Sequence, residues 1–174
     1  MSVLSSLPQN VWTNCMNVLR DRLLNLEIIG VPEKKAENTE ELLFKIASHA
    51  QTTLSRDDYV HVNRVQPRQV VPGRPRTIVA KLKSRDTKDS IIAGIRKARG
   101  INTKDLGFTG EPTPIYVKEH LTTVNKDLLK KCKTTAVAKN YQFVWVKNCR
   151  IFMRQHEKAP PMLIQSEEDL RKIN

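Results

Sequence analysis

Short apolar runs with strand-like spacing alternate with helical patterns from residue 26 onward. "LEIIGVP" (26–32) predicts a strand closed by proline. "ENTEELLFKIASHAQTTL" then switches to helical spacing. Asn38 or Thr39 serves as the N-cap, Glu40 and Glu41 lie in the first turn, and Leu42, Leu43, Ile46, Ala47 and Ala50 form the buried stripe. "YVHVNRV" (59–65) alternates as a half-buried strand should, "QPRQVVPGRP" (66–75) is a proline-rich basic hairpin loop, and "RTIVAKLK" (76–83) is a further strand. "SRDTKDSIIAGIRKAR" (84–99) predicts a helix capped by Ser84, "GINTKDLGFTGEPT" a glycine-containing loop, and "PIYVKE" (114–119) a fourth strand. The order is β-α-β-β-α-β, which in a ferredoxin-like or RRM-type fold makes one sheet backed by two helices.

A second unit follows. "LTTVNKDLLKKCKTTAVAK" predicts a helix with Leu121, Val124, Leu128, Leu129 and Cys132 as its apolar stripe. "FVWVKNCRIFMRQHEK" (143–158) reads as two short strands with a turn, "PMLIQ" as another strand, and "SEEDLRKI" as a short helix capped by Ser166. Upstream, Trp12, Met16, Leu19, Leu23 and Leu26 step by 4, 3, 4 and 3, the spacing of a heptad seam. So short a seam would not associate alone; it is either the stub of a longer coiled coil or one helix face packing at home. The expected fold class is therefore α+β: an N-terminal helix over 1–25, an RRM-like domain over 26–119 and a small α+β domain over 120–174.

Charge changes the picture from fold to partner. The chain carries 30 Lys+Arg against 18 Asp+Glu, net +12. Residues 66–158 hold 21 basic and 7 acidic side chains, net +14, whereas residues 1–65 hold 7 and 8. Segregation of this kind is the footprint of a polyanion partner, and nucleic acid is the commonest. Other classes recede. No apolar run approaches a membrane span, and no basic amphipathic anchor with aromatic residues is present. The opening "MSVLSSLPQN" has no secretory pattern, and Cys15, Cys132 and Cys149 are odd in number and widely spaced, as free thiols in a reducing compartment would be. An intracellular protein of cytoplasm or nucleus is expected. The four histidines share no metal-ligand spacing with a cysteine, and no nucleophile motif or phosphate-cradling glycine loop occurs, so no enzyme, metal or cofactor is expected.

Candidate contacts fall in three clusters of cations. The first is Arg68, Arg74, Arg76, Lys81 and Lys83 in the basic loop and its strand; the second is Arg96, Lys97 and Arg99 at a helix end. The third, in the C-terminal unit, includes Lys130, Lys131, Lys147, Arg150 and Arg154. Such side chains can follow a phosphate backbone without reading bases. Typical RRMs stack bases on aromatics of their first and third strands. Neither "LEIIGV" nor "RTIVAKLK" has one, so on that sheet stacking would fall to Tyr59, unless Tyr59 is merely an edge residue with its hydroxyl in water. On the hairpin, alternation puts Arg150, Phe152 and Arg154 on one face and Cys149, Ile151 and Met153 on the other. Phe152 either stacks on an unpaired base or packs into the small core.

"NLEIIGVPE…NTEELLFKIA", "VHVNRVQP…RPRTIVAKL", "PIYVKEHLT…LLKKCK", "VWVKNCRIFMRQHEK" and "SEEDLRKI", in that order, resemble the C-terminal half of baculovirus FP (few polyhedra) proteins. More distantly they resemble the RNA-binding region of the first open reading frame protein of LINE retrotransposons. The resemblance spans roughly residues 15–174 and rests on the ordered set. It implies an RRM-like domain and a small C-terminal domain holding single-stranded nucleic acid between them, with Arg76, Arg150 and Arg154 at basic positions of the family pattern. In the retrotransposon relatives an upstream coiled coil makes trimers, and the protein coats and chaperones element RNA. The expected function is non-enzymatic binding of single-stranded RNA or DNA, RNA favoured, through a basic cleft. Homo-oligomers would form through an N-terminal coiled coil if a longer one exists. The alternative is a structural or assembly protein whose basic face meets an acidic protein partner.

Overall fold

A computed structural model of the chain describes residues 21–67 and 70–173. The chain divides into two compact units, Met1–His120 and Leu121–Asn174. The heptad positions Trp12, Met16 and Leu19, and Arg68 of the basic loop, lie outside the described residues.

In the first unit the strands are β1 (Asn25–Ile29), β2 (Tyr59–Arg64), β3 (Ile78–Leu82), β4 (Ile101–Asn102) and β5 (Pro114–Glu119). They pair antiparallel in the order β2-β3-β1-β5-β4. Leu26 opposes Ala80 and Ile28 opposes Ile78, so these apolar side chains share one face. Helices α1 (Thr39–His49) and α2 (Arg85–Lys97) bury Leu42, Leu43, Ile46, Ala47, Ile91 and Ile95 in the same core. Both helices begin where short polar side chains satisfy their first amides. Asn38 Oδ1 accepts from the amides of Glu40 and Glu41, each at 3.1 Å, and Ser84 Oγ accepts from the amide of Asp86 at 3.1 Å. Gly94 lets α2 approach α1 closely: a Cβ there would lie 2.0 Å from the carbonyl oxygen of Ala50.

The register puts Asn25, Glu27, Ile29, Val79, Lys81, Tyr116 and Lys118 on the opposite face of this sheet. Tyr59 does not join them, which corrects its reading as a stacking or edge residue. Strict alternation would place Tyr59 with His61 and Asn63, but a bulge between Tyr59 and His61 inserts one residue. Tyr59 is thereby turned to the helix side, 6% exposed, with its ring edge-on to Phe44 at 5.9 Å. Two other expectations shift. Leu26 belongs to β1 and the buried core rather than to a helical seam. The glycine-containing loop also holds β4, which adds to β5 through Ile101 opposite Ile115.

The second unit is helix α3 (Thr123–Ala138), strands β6 (Phe143–Lys147), β7 (Arg150–Arg154) and β8 (Met162–Ile164), and helix α4 (Glu167–Arg171). The sheet order is β6-β7-β8, all antiparallel. Leu128, Cys132 and Ala136 of α3, stepping by four, pack on Ile151, Met153, Ile164, Leu170 and Ile173. Val124, expected in that stripe, is 74% exposed instead. One turn before Leu128 the contact is made by Asn125, whose side-chain amide donates to the carbonyl of Cys149 at 3.4 Å. The hairpin turns on Asn148 and Cys149, both with positive φ (53° and 56°), as a two-residue turn that follows strand twist requires. The whole is an α+β protein. No helix among the described residues is long and apolar enough to cross a membrane.

Candidate nucleic-acid interface

The C-terminal sheet has one face on its core and one turned away from it. On β7 the side chains alternate: Ile151 and Met153 are 1% and 0% exposed, while Arg150, Phe152 and Arg154 point to the other side. Register extends that outer face onto both neighbours. Phe143 opposes Arg154, Trp145 opposes Phe152, Lys147 opposes Arg150, and Leu163 of β8 flanks Phe152. Three aromatic rings and three cations therefore share one surface.

These side chains touch. The rings of Trp145 and Phe152 stack with centroids 5.5 Å apart and 15° between planes. The Arg154 guanidinium sits 4.6 Å from the centre of the Phe143 ring and 6.0 Å from that of Trp145. Gln142, Phe143, Val144, Trp145 and Arg154 line an open pocket of about 340 Å³. Phe152 is half-buried and belongs to this outer face, not to the core cluster. Phe143 and Trp145 were missed in the sequence, although the alternation Phe143-Trp145-Lys147 in "FVWVK" carries the same signal as Arg150-Phe152-Arg154.

The remaining candidates sort by what already holds them. Arg76 is bound by Glu33: its Nη2 and Nε donate to Oε2 at 2.8 and 3.0 Å, and its amide donates to Oε1 at 2.8 Å. The Arg76 hydrogen bonds hold the Glu33 carboxyl down at about 2, well below the ordinary carboxylate range. Lys81 pairs with Asp21 at 2.8 Å, and Lys131 with Glu167. Lys131 and Lys130 both stand on α3, which covers the core face of the C-terminal sheet, so neither belongs to the aromatic face. Arg74, Lys83, Arg96, Lys97, Arg99, Lys130, Lys147 and Arg150 are exposed. Among the described residues, none of these eight is within ion-pair distance of a carboxylate.

Other chemistry is thin. Among the described residues, no group of three His, Cys, Asp or Glu could hold a metal ion. Cys132 and Cys149 are buried thiols, and burial pushes the Cys132 thiol up to about 11. One arginine is plainly structural: Arg64 donates to the carbonyls of Val31 and Pro32 at 3.1 and 3.0 Å and pairs with Glu37.

Fold and site together define an α+β protein whose C-terminal unit displays a cationic, aromatic sheet face. That unit has a relative. Residues 122–174 match the family described as Baculovirus FP protein domain 2, as the resemblance of the C-terminal segment led us to expect. No curated protein matches the chain.

Proposed function

We propose that this protein is a non-enzymatic binder of single-stranded nucleic acid, RNA favoured over DNA, of the viral FP or retroelement type. In this reading it coats or chaperones the strand. The outer face of the C-terminal sheet carries the proposal. Phe143, Trp145 and Phe152 offer π-faces to unpaired bases, and exposed Lys147 and Arg150 beside them meet the flanking phosphates, with the Arg154 guanidinium held among the rings. A duplex keeps its bases stacked on one another and has no use for such a platform.

The first unit takes an RRM-like part. Its four longer strands run in the order β2-β3-β1-β5 with helices in the two crossovers, as the split β-α-β arrangement does. The outward positions of its two central strands, Asn25, Glu27 and Ile29 with Val79 and Lys81, contain no aromatic residue. This unit accordingly contributes charge through Arg74, Lys83, Arg96, Lys97 and Arg99, with Tyr116 of the neighbouring β5 as the exposed aromatic on its outer face.

Salt dependence tests the proposal. Affinity of the whole chain for a fluorescent single-stranded oligouridine is measured over a range of salt. Each phosphate contact adds about −0.7 to the log–log slope, so Lys147 and Arg150 alone predict a slope of about −1.4. Replacing Lys147 and Arg150 together by alanine should flatten the slope by about 1.4. Absence of binding at low salt overturns the proposal. A partner that survives nuclease treatment in a pull-down, with no strand binding, would establish the acidic-protein alternative instead.

A further inference from the structure

Arg154 differs from every other cation of the C-terminal face. Lys147 and Arg150 are exposed, whereas Arg154 is half-buried against Phe143 and Trp145. Its Nε is out of water and has no hydrogen-bond partner. Among the described residues Arg154 makes no ion pair either, and its guanidinium lies over the Phe143 ring. A buried donor left without an acceptor is costly, and native structures seldom leave one without a reason. Arg154 also lines a pocket, together with Gln142, Phe143, Val144 and Trp145. Phe152, stacked on Trp145, is not among them.

We propose that this pocket takes one unpaired guanine, stacked against Trp145, with its O6 and N7 facing the Arg154 guanidinium. The inference rests on the reading of the protein as a single-strand binder and adds base selectivity to it. Volume agrees: about 340 Å³ is at the lower end of ligand clefts, the scale of one nucleoside. Chemistry decides which base. A guanidinium presents donors only, in a planar fork. Guanine offers two adjacent acceptors, O6 and N7, on one edge. Adenine places an N6 amino donor beside its N7, which would set donor against donor. Cytosine presents an amino donor on that edge, and uracil a single acceptor. Stacking alone tolerates every base, so selection falls on the fork. A phosphate is the poorer occupant, because it would shed its water to reach the half-buried guanidinium while exposed Lys147 and Arg150 bind it without that loss.

The test compares three short oligouridine strands with the whole chain: one unmodified, one with a central guanine and one with a central adenine. The guanine strand should bind roughly 5- to 150-fold tighter than the adenine strand, the span of one bidentate arginine–guanine pair. Arg154→Lys keeps the charge but loses the fork, so it should still bind oligouridine while guanine and adenine strands become alike. If oligouridine binds but guanine and adenine are equal in the unaltered protein, the guanine pocket is refuted and the single-strand reading stands. Retained discrimination in Arg154→Lys also refutes it. If no strand binds, the single-strand reading fails, and the pocket with it.

Discussion

Arg76 is a cation that the protein already holds for itself, and releasing it should strengthen binding. Its guanidinium and its amide are all directed to Glu33, with donor–acceptor distances of 2.8, 3.0 and 2.8 Å. Because the Glu33 carboxyl is held at about 2, the pair is intact above the ordinary carboxylate range and lost only as pH falls through about 2. At neutral pH Arg76 therefore has its anion. Glu33→Gln keeps an acceptor for the Arg76 amide and removes the charge. The freed arginine, on the same loop region as exposed Arg74, can then take a phosphate. One added contact makes the slope of log affinity against log salt steeper by about 0.7, worth about fivefold at 0.1 M salt relative to 1 M. The assay is fluorescence anisotropy with single-stranded oligouridine, run beside Arg76→Ala, which should change little in a protein whose Arg76 is already neutralised. An unchanged slope in Glu33→Gln would place the loop outside the nucleic-acid footprint. A large loss of affinity in Arg76→Ala would show that Glu33 surrenders the arginine on binding.

Three further outcomes are expected. Trp145→Ala and Phe152→Ala should each weaken single-strand binding by about 1–3 kcal/mol without changing the salt slope, since stacking carries no counterion release; a flatter slope with unaltered affinity at high salt would contradict the stacking role. Gly94→Ala should lower the urea midpoint. The new methyl carbon lies 2.0 Å from the Ala50 carbonyl oxygen, and the resulting overpacking, on the order of 1–3 kcal/mol or more, outweighs the roughly 1 kcal/mol that alanine gains over glycine in a helix. A raised midpoint would show that α1 and α2 separate freely. Cys132, buried with its thiol near 11, should resist alkylation at pH 8 in the native protein and react once it is unfolded, as read by mass spectrometry of the modified peptide.

The elements themselves were legible wherever one local signal decides them. Alternation and the flanking loop agree on a strand over 114–119, where β5 stands. The caps at Asn38 and Ser84 were visible because they act within one turn. Tyr59 was misplaced for the opposite reason. A bulge is a property of two paired strands, and nothing within "YVHVNRV" marks the inserted residue. Val124 failed similarly. Its i, i+4 spacing to Leu128 is sound, but Asn125 takes the contact to the hairpin turn, a partner 24 residues away. Charge was legible as a sum and illegible as a distribution. The sequence cannot show that Arg76, Lys81 and Lys131 face carboxylates while Lys147 and Arg150 do not. The outer face of the hairpin lay between these cases: alternation was enough to find half of it on β7, and the register of β6 supplied Phe143 and Trp145.

That difference between charge present and charge free changes what kind of binder the protein can be. The two units carry equal nominal charge, 19 basic against 13 acidic residues over 1–120 and 11 against 5 over 121–174, so net charge does not single out a site. Arrangement does. Cations engaged by Glu33, Asp21 and Glu167 stabilise the fold locally and offer little to a phosphate, while exposed ones away from any aromatic, such as Arg96 and Lys130, attract a strand without orienting it. Among the described residues, it is on the outer face of the C-terminal sheet that exposed cations and π-surfaces alternate at strand spacing. There, in the proposed function, electrostatic and stacking contributions would act on the same nucleotides, each compensating for the other's weakness. Charge alone would bind duplex as readily as single strand, and stacking alone would be too short-ranged to capture a strand. Their coincidence on one three-stranded sheet is the reason for proposing a strand with exposed bases, rather than an acidic surface in general, as the ligand of this face.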